Sequence, residues 1–194
     1  MTLTIAKAVY IIMSVAWYVV RLPHELRARK TPVARSARDW REIVLLLFGF
    51  LCLGILPWVY VFTGFPRAAD YPFHPLQAWL GALAALASLA TFFVTHRDLG
   101  RNWSVSLDVR KNHKLITGGV YRHVRHPMYS AFWLWAIAQA LLLPNLVAGL
   151  AGFVGFGTLY FLRIGREEQM MLEAFGDEYR DYMGRTKKLI PWVY

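Results

Sequence analysis

The feature that most constrains this chain is its set of long uncharged runs. Ile43 to Thr63 carries no Asp, Glu, Lys or Arg for 21 residues, Leu76 to Thr95 none for 20, and Met128 to Leu162 none for 35. About 20 apolar residues, each rising 1.5 Å, cross the ~30 Å of a bilayer's hydrocarbon. Leu3 to Val20 holds one charge, Lys7, close enough to the end of the run to snorkel toward the interface. The 35-residue run is too long for one crossing, and Pro144-Asn145 in its middle is a turn signal. The pattern predicts an all-α integral membrane protein, one domain over 1–194. Five spans fall at about 3–20, 42–63, 75–95, 127–143 and 146–166, the last two forming a helical hairpin, with a C-terminal cytoplasmic segment over 167–194. Asp39-Trp40-Arg41-Glu42 reads as a capping box opening the second span. His74-Pro75 and His126-Pro127 place a proline in the first helical turn, where its missing N–H costs little. The first run lacks a basic lead-in and a small-residue cleavage site, so it is expected to be a retained helix.

The net charge of +10 would suit nucleic acid, but its placement argues for topology. Of 22 basic residues, seven lie in Arg21–Arg41, seven in Arg97–Arg125 and six in Arg163–Lys188. Five crossings put all three segments on one side, which the positive-inside rule makes cytoplasmic, with the N-terminus outside. Attraction to anionic lipid then accounts for the charge, and no nucleic-acid partner is expected. A chain 57% hydrophobic and 18% charged is also far from the balance of a soluble enzyme. The lone Cys52 excludes a disulfide framework and any multi-cysteine metal site.

Polar residues concentrate in His96–His126 and from Arg163 onward, both beside the predicted hairpin. Gly118-Gly119 reads as a tight turn and has no strand before it, so a dinucleotide or phosphate loop is not expected. His113, His123 and His126 lack a carboxylate or thiolate at zinc spacing, and no metal is expected. Arg163 and Glu167, four residues apart, share a helix face where the fifth span leaves hydrocarbon. Ionisable groups at that depth are expensive and commonly belong to a site. Glu168 lies about 100° around the helix and reads as a solvated charge.

Taken together, Arg125-His126-Pro127-Met128-Tyr129, Glu167-Glu168, and Phe175-Gly176-Asp177-Glu178-Tyr179 with Thr186 through Pro191 resemble the isoprenylcysteine carboxyl methyltransferase family. The resemblance runs from about Leu99 to Pro191. Its members are integral-membrane enzymes that use S-adenosylmethionine to methylate a prenylated C-terminal cysteine, giving S-adenosylhomocysteine as product. The compact five-span plan is similar to that of prokaryotic members, which implies a prokaryotic cell membrane. The resemblance implies cofactor contacts from His113, Lys114, Leu115, Ile116, Tyr121, His126, Pro127, Met128, Tyr129 and Glu167. It implies that Arg163 meets the acceptor and that Arg163 and Glu167 carry catalysis; one more cofactor contact maps near Ser106. The cofactor site would be cytoplasmic, covered by the 96–129 connector and the C-terminal segment.

The residues suit that chemistry. A carboxylate acceptor is ionised at neutral pH and needs no general base. Arg163 can grip it by a two-pronged hydrogen bond, and Glu167 can accept from the cofactor's ammonium. His126 and the backbone near Pro127 can hold an anionic or ribose group at a helix start. A greasy acceptor would enter from the bilayer while the cofactor arrives through water. Two other classes stay open on the residues: methylation of a phospholipid amine or small thiol, and a small membrane transporter or scaffold without catalysis.

Overall fold

The computed structural model describes residues 1–28, 33–36, 39–100, 108–110 and 115–194. Among them the α-helices are α1 (Leu3–Ala28), α2 (Trp40–Phe50), α3 (Leu56–Thr63), α4 (Pro75–Leu99), α5 (Pro127–Leu142), α6 (Leu146–Phe175) and α7 (Asp177–Arg185). A π turn, Leu51–Ile55, joins α2 and α3 into one rod. Among the described residues, four rods are long and apolar enough to cross a membrane: Leu3–Ala28, Trp40–Thr63, Pro75–Leu99 and Leu146–Phe175. α5, at 16 residues, is about 24 Å long and falls short of that length. The helical expectation meets one addition outside the apolar rods. β1 (Val33–Ser36) pairs antiparallel with β2 (Asp108–Arg110), Val33 opposite Arg110 and Ser36 opposite Asp108. Two basic segments read as connectors thus share a short ribbon, because backbone pairing leaves no mark in hydropathy.

Helix starts follow the local signals. Asp39 caps α2 by accepting the Glu42 N–H at 2.9 Å. Pro75 and Pro127 open α4 and α5. Asn145 is buried at the α5–α6 turn. Its Oδ1 accepts from Val147 N and Ala148 N, while its Nδ2 donates to Pro66 O and Asp70 Oδ1 at 2.8 and 2.7 Å. One side chain therefore caps α6 and also ties the α3–α4 connection to that turn.

Packing sets the cavity's outline. α4 lies on α5, α5 on α6, α1 on α4, and the α2–α3 rod on α6. Small residues allow these approaches: a Cβ on Gly155 would strike Cys52, and one on Gly81 would lie 2.9 Å from Leu142. The π turn displaces backbone carbonyls from the regular helical ladder, and buried carbonyls need partners. Tyr10 OH donates to Leu53 O at 3.0 Å, and Gln139 Nε2 donates to Cys52 O at 3.1 Å. Trp17 stacks on Phe92 at 3.9 Å and on Trp135 at 5.3 Å, filling the space between α1, α4 and α5. The outer faces remain apolar: Ile12, Val19, Leu47, Phe62, Leu83 and Phe161 are all exposed. A contiguous apolar jacket of this kind suits lipid rather than water.

Candidate active site

A cavity of about 1250 Å³ lies between α1 and the α2–α3 rod, floored by α5 and α6. Its polar end holds Arg125, His126, Arg163 and Glu167. Its wall continues through Leu46, Leu53 and Trp58 to Val59, Phe62 and Thr63. The α2–α3 rod runs antiparallel to α6, with Glu42 beside Arg163 and Cys52 beside Gly155. Thr63 therefore lies about 30 Å along the rod from the charged end. Tyr18, Phe50, Ile55 and Phe62 line the cavity and are also exposed on the apolar jacket. The hollow thus connects charged groups at one end with the lipid-facing surface.

The described residues nominated by sequence converge on this cavity. Leu115, Ile116, Tyr121, His126, Pro127, Met128, Tyr129, Arg163 and Glu167 all line it. His113 and Lys114 lie outside the described residues, as does Ser106. Tyr129 OH donates to Glu167 Oε2, which holds that carboxylate against the start of α5. His126 stands between two carboxylates, Nδ1 3.7 Å from Glu167 Oε1 and Nε2 3.3 Å from Glu168 Oε1. Burial pushes the Tyr121 phenol far up, so it remains a neutral hydroxyl. Among the described residues, no group of three or more His, Cys, Asp or Glu is placed to hold a metal.

One sequence expectation is corrected and another gains a partner. Glu168 is not a solvated charge: it is 8% exposed and meets Arg125 Nη2 at 2.8 Å, Lys188 Nζ at 3.1 Å and His126. Its helix face does turn away from Arg163, but the N-terminus of α5 and the C-terminal segment cover that face. Arg163, in turn, forms an ion pair with Glu42 across to α2, at 3.3 Å, in addition to sharing a face with Glu167. Helical spacing identifies neighbours on one helix and is blind to a partner 121 positions away. Glu42 was legible only as a cap residue, although a single acid opening a 21-residue uncharged run was a usable signal.

The C-terminal segment is fastened beside the cavity by backbone and charge. Arg125 N donates to Lys187 O at 2.7 Å and His126 N to Lys188 O at 3.0 Å. The Arg125 guanidinium also bonds the carbonyls of Met183 and Thr186. Tyr182 OH donates to Tyr121 O, and Ser130 Oγ to Leu189 O at 2.7 Å.

Burial opposes the charge on His126, but hydrogen bonds to Glu167 and Glu168 outweigh it and raise its pKa above the ordinary 6.5. The imidazolium's contribution to stability is then complete below pH 6.5 and is lost as the pH rises through the raised folded value. The thermal midpoint of the detergent-solubilised protein should fall as pH increases above that point, and His126→Asn should flatten the fall. An unchanged slope in the variant would assign the dependence to another group.

Comparison with known proteins fits this architecture. Residues 79–173 match the model of the isoprenylcysteine carboxyl methyltransferase (ICMT) family. A relative from Oryza sativa subsp. japonica, named "Probable protein-S-isoprenylcysteine O-methyltransferase", is 33% identical over 131 residues, 66% of this chain and 67% of that protein. A Dictyostelium discoideum protein-S-isoprenylcysteine O-methyltransferase is 28% identical over 122 residues, 60% of this chain and 50% of that protein. The chain spans about half the length of several curated relatives it matches. The solved structure of a eukaryotic intramembrane Ras methyltransferase, ICMT, shares the fold with a TM-score of 0.51 and 22% identity. That match covers 81% of this chain and 55% of the solved one. The four long apolar rods and the shared fold make this a multi-pass integral membrane protein. With a third of the aligned residues identical across two thirds of the rice protein, and the family match centred on α4 to α6, the chain belongs to the isoprenylcysteine carboxyl methyltransferase family.

Proposed function

We propose that this protein uses S-adenosylmethionine to methylate the carboxylate of a lipophilic, prenylcysteine-like acceptor at the cytoplasmic leaflet. The observation that carries this reading is the continuity of one cavity from the Arg163–Glu167 end to the lipid-exposed surface at Tyr18 and Phe62. A lipid chain gains about 0.8 kcal/mol per buried methylene by staying in an apolar environment, so a lateral route suits it. A five-span arrangement, with the N-terminus outside and the C-terminus in a prokaryotic cytoplasm, would serve the same delivery. Arg21, Arg163, the α5 start and the basic C-terminal segment would then share the cytoplasmic side.

The polar end suits the cofactor's groups. Glu167, oriented by Tyr129 and facing His126, can accept from an ammonium. Leu115, Ile116 and Met170 offer apolar surface to a base, and the start of α5 favours a carboxylate or ribose. When bound, the cofactor supplies an electrophilic methyl group on a sulfonium. The chain's residues then have to orient and exclude water, and alignment of that kind is worth roughly 7–11 kcal/mol of a barrier. Arg163 would hold the acceptor carboxylate with one oxygen turned toward the methyl group that the cofactor would supply. No proton needs removing, because the acceptor is already ionised.

The test offers purified protein labelled S-adenosylmethionine with a farnesylated cysteine analogue, phosphatidylethanolamine or a small thiol. The farnesylated carboxylate should acquire the label as a base-labile ester. Label on the lipid amine or thiol instead overturns the carboxylate assignment. Glu167→Gln should weaken S-adenosylhomocysteine binding by about tenfold or more, the scale of a lost hydrogen bond to a charged group. Unchanged affinity by calorimetry would remove Glu167 from the cofactor site.

A further inference from the structure

Glu42 is the least expected charge in the molecule. It sits in the first turn of α2, is 1% exposed, and is followed by 21 uncharged residues. A carboxylate so buried is tolerated only when paired. Its partner is Arg163, with Nη2 3.3 Å from Oε1. Arg163 lines the cavity whereas Glu42 stands behind it. One turn toward the surface, Arg166 Nη1 meets Asp39 Oδ2 at 3.2 Å. The N-cap of α2 and a residue three on from it thus pair with residues three apart on antiparallel α6. Asp39 also caps α2 through the Glu42 N–H.

We infer that Glu42 is a positioning residue for acceptor recognition, holding the Arg163 guanidinium from behind so that it presents to the cavity in one orientation. This rests on the carboxylate reading proposed above. An arginine side chain has many rotamers, and a planar fork recognises a carboxylate well only when its plane is fixed. Its five donors let one edge serve Glu42 without using up the group. The pairing also separates the charges at the polar end into two sets. Arg163, backed by Glu42, faces the acceptor's carboxylate, while Glu167, Tyr129 and His126 form the cofactor's set. Loss of Glu42 should therefore be felt by the acceptor and scarcely by the cofactor.

The experiment measures steady-state constants for the farnesylated cysteine analogue and S-adenosylhomocysteine affinity in Glu42→Gln and Glu42→Asp, with thermal midpoints alongside. In Glu42→Gln the acceptor KM should rise roughly tenfold, as the guanidinium loses the ion pair that fixes it, with kcat and cofactor affinity within about threefold. Glu42→Asp, which keeps the charge on a shorter arm, should recover part of the loss. It also serves as the readout should Glu42→Gln fail to fold. Acceptor KM within about twofold of the unaltered protein in a folded variant overturns the inference. So does a fall in kcat with loss of the acid limb of the pH–rate profile, which would make Glu42 a proton acceptor. The underlying reading fails separately, if the unaltered protein does not methylate the analogue or Arg163→Lys leaves its KM unchanged.

Discussion

Arg163→Ala should lower kcat/KM for a farnesylated cysteine acceptor by about a hundredfold or more, while S-adenosylhomocysteine still binds. Misplacing a bound reactant by about 1 Å costs on that order, and removal of the guanidinium leaves the acceptor carboxylate without its fixed partner. The same change strands Glu42, 1% exposed, without its ion-pair partner. Breaking a buried pair from one side typically costs about 3–5 kcal/mol of stability, so the thermal midpoint should drop as well. Arg163→Lys separates the two effects. It retains a cation for Glu42 but loses the planar fork, so stability should recover more fully than acceptor affinity. Should cofactor binding in Arg163→Ala fall as far as turnover does, Arg163 is not the acceptor clamp.

The second large effect belongs to Arg125. Its guanidinium meets Glu168 through Nη2 at 2.8 Å and Nε at 3.1 Å, and it also bonds the carbonyls of Met183 and Thr186. It therefore links the start of α5, the end of α6 and the C-terminal segment. Arg125→Ala should destabilise the protein by about 3–5 kcal/mol, because Glu168 is left buried with only part of its counter-charge. At roughly 2–4 °C per kcal/mol for a chain of this size, the midpoint should fall by about 6–20 °C. Limited proteolysis should cut the Thr186–Tyr194 segment sooner in the variant. Glu168→Ala should give a similar loss, and the double variant less than the sum, since both remove one shared interaction. Fully additive effects would show that the two residues act independently.

Several parts of this architecture were readable from the chain because their causes are local. The uncharged runs marked the apolar segments, Asp39, Pro75 and Pro127 marked helix starts, and Pro144-Asn145 marked the turn between the last two. The spacing of Arg163 and Glu167 placed both on one wall, and both line the cavity. Glu168 shows where local reasoning stops: one residue beyond Glu167, it faces α5 and Lys188, and no periodicity on α6 reveals what covers that face.

Sequence alone determined that this chain makes long apolar helices and carries its basic residues in three blocks, since hydropathy, charge and capping act over a few residues at a time. Tertiary structure alone decided which charges meet. Glu42 reaches Arg163, Arg125 reaches Glu168, and Tyr10 and Gln139 satisfy carbonyls of the π turn. In an apolar interior a charge or a displaced carbonyl must find a partner wherever the packing brings one, and that partner's distance along the chain carries no weight.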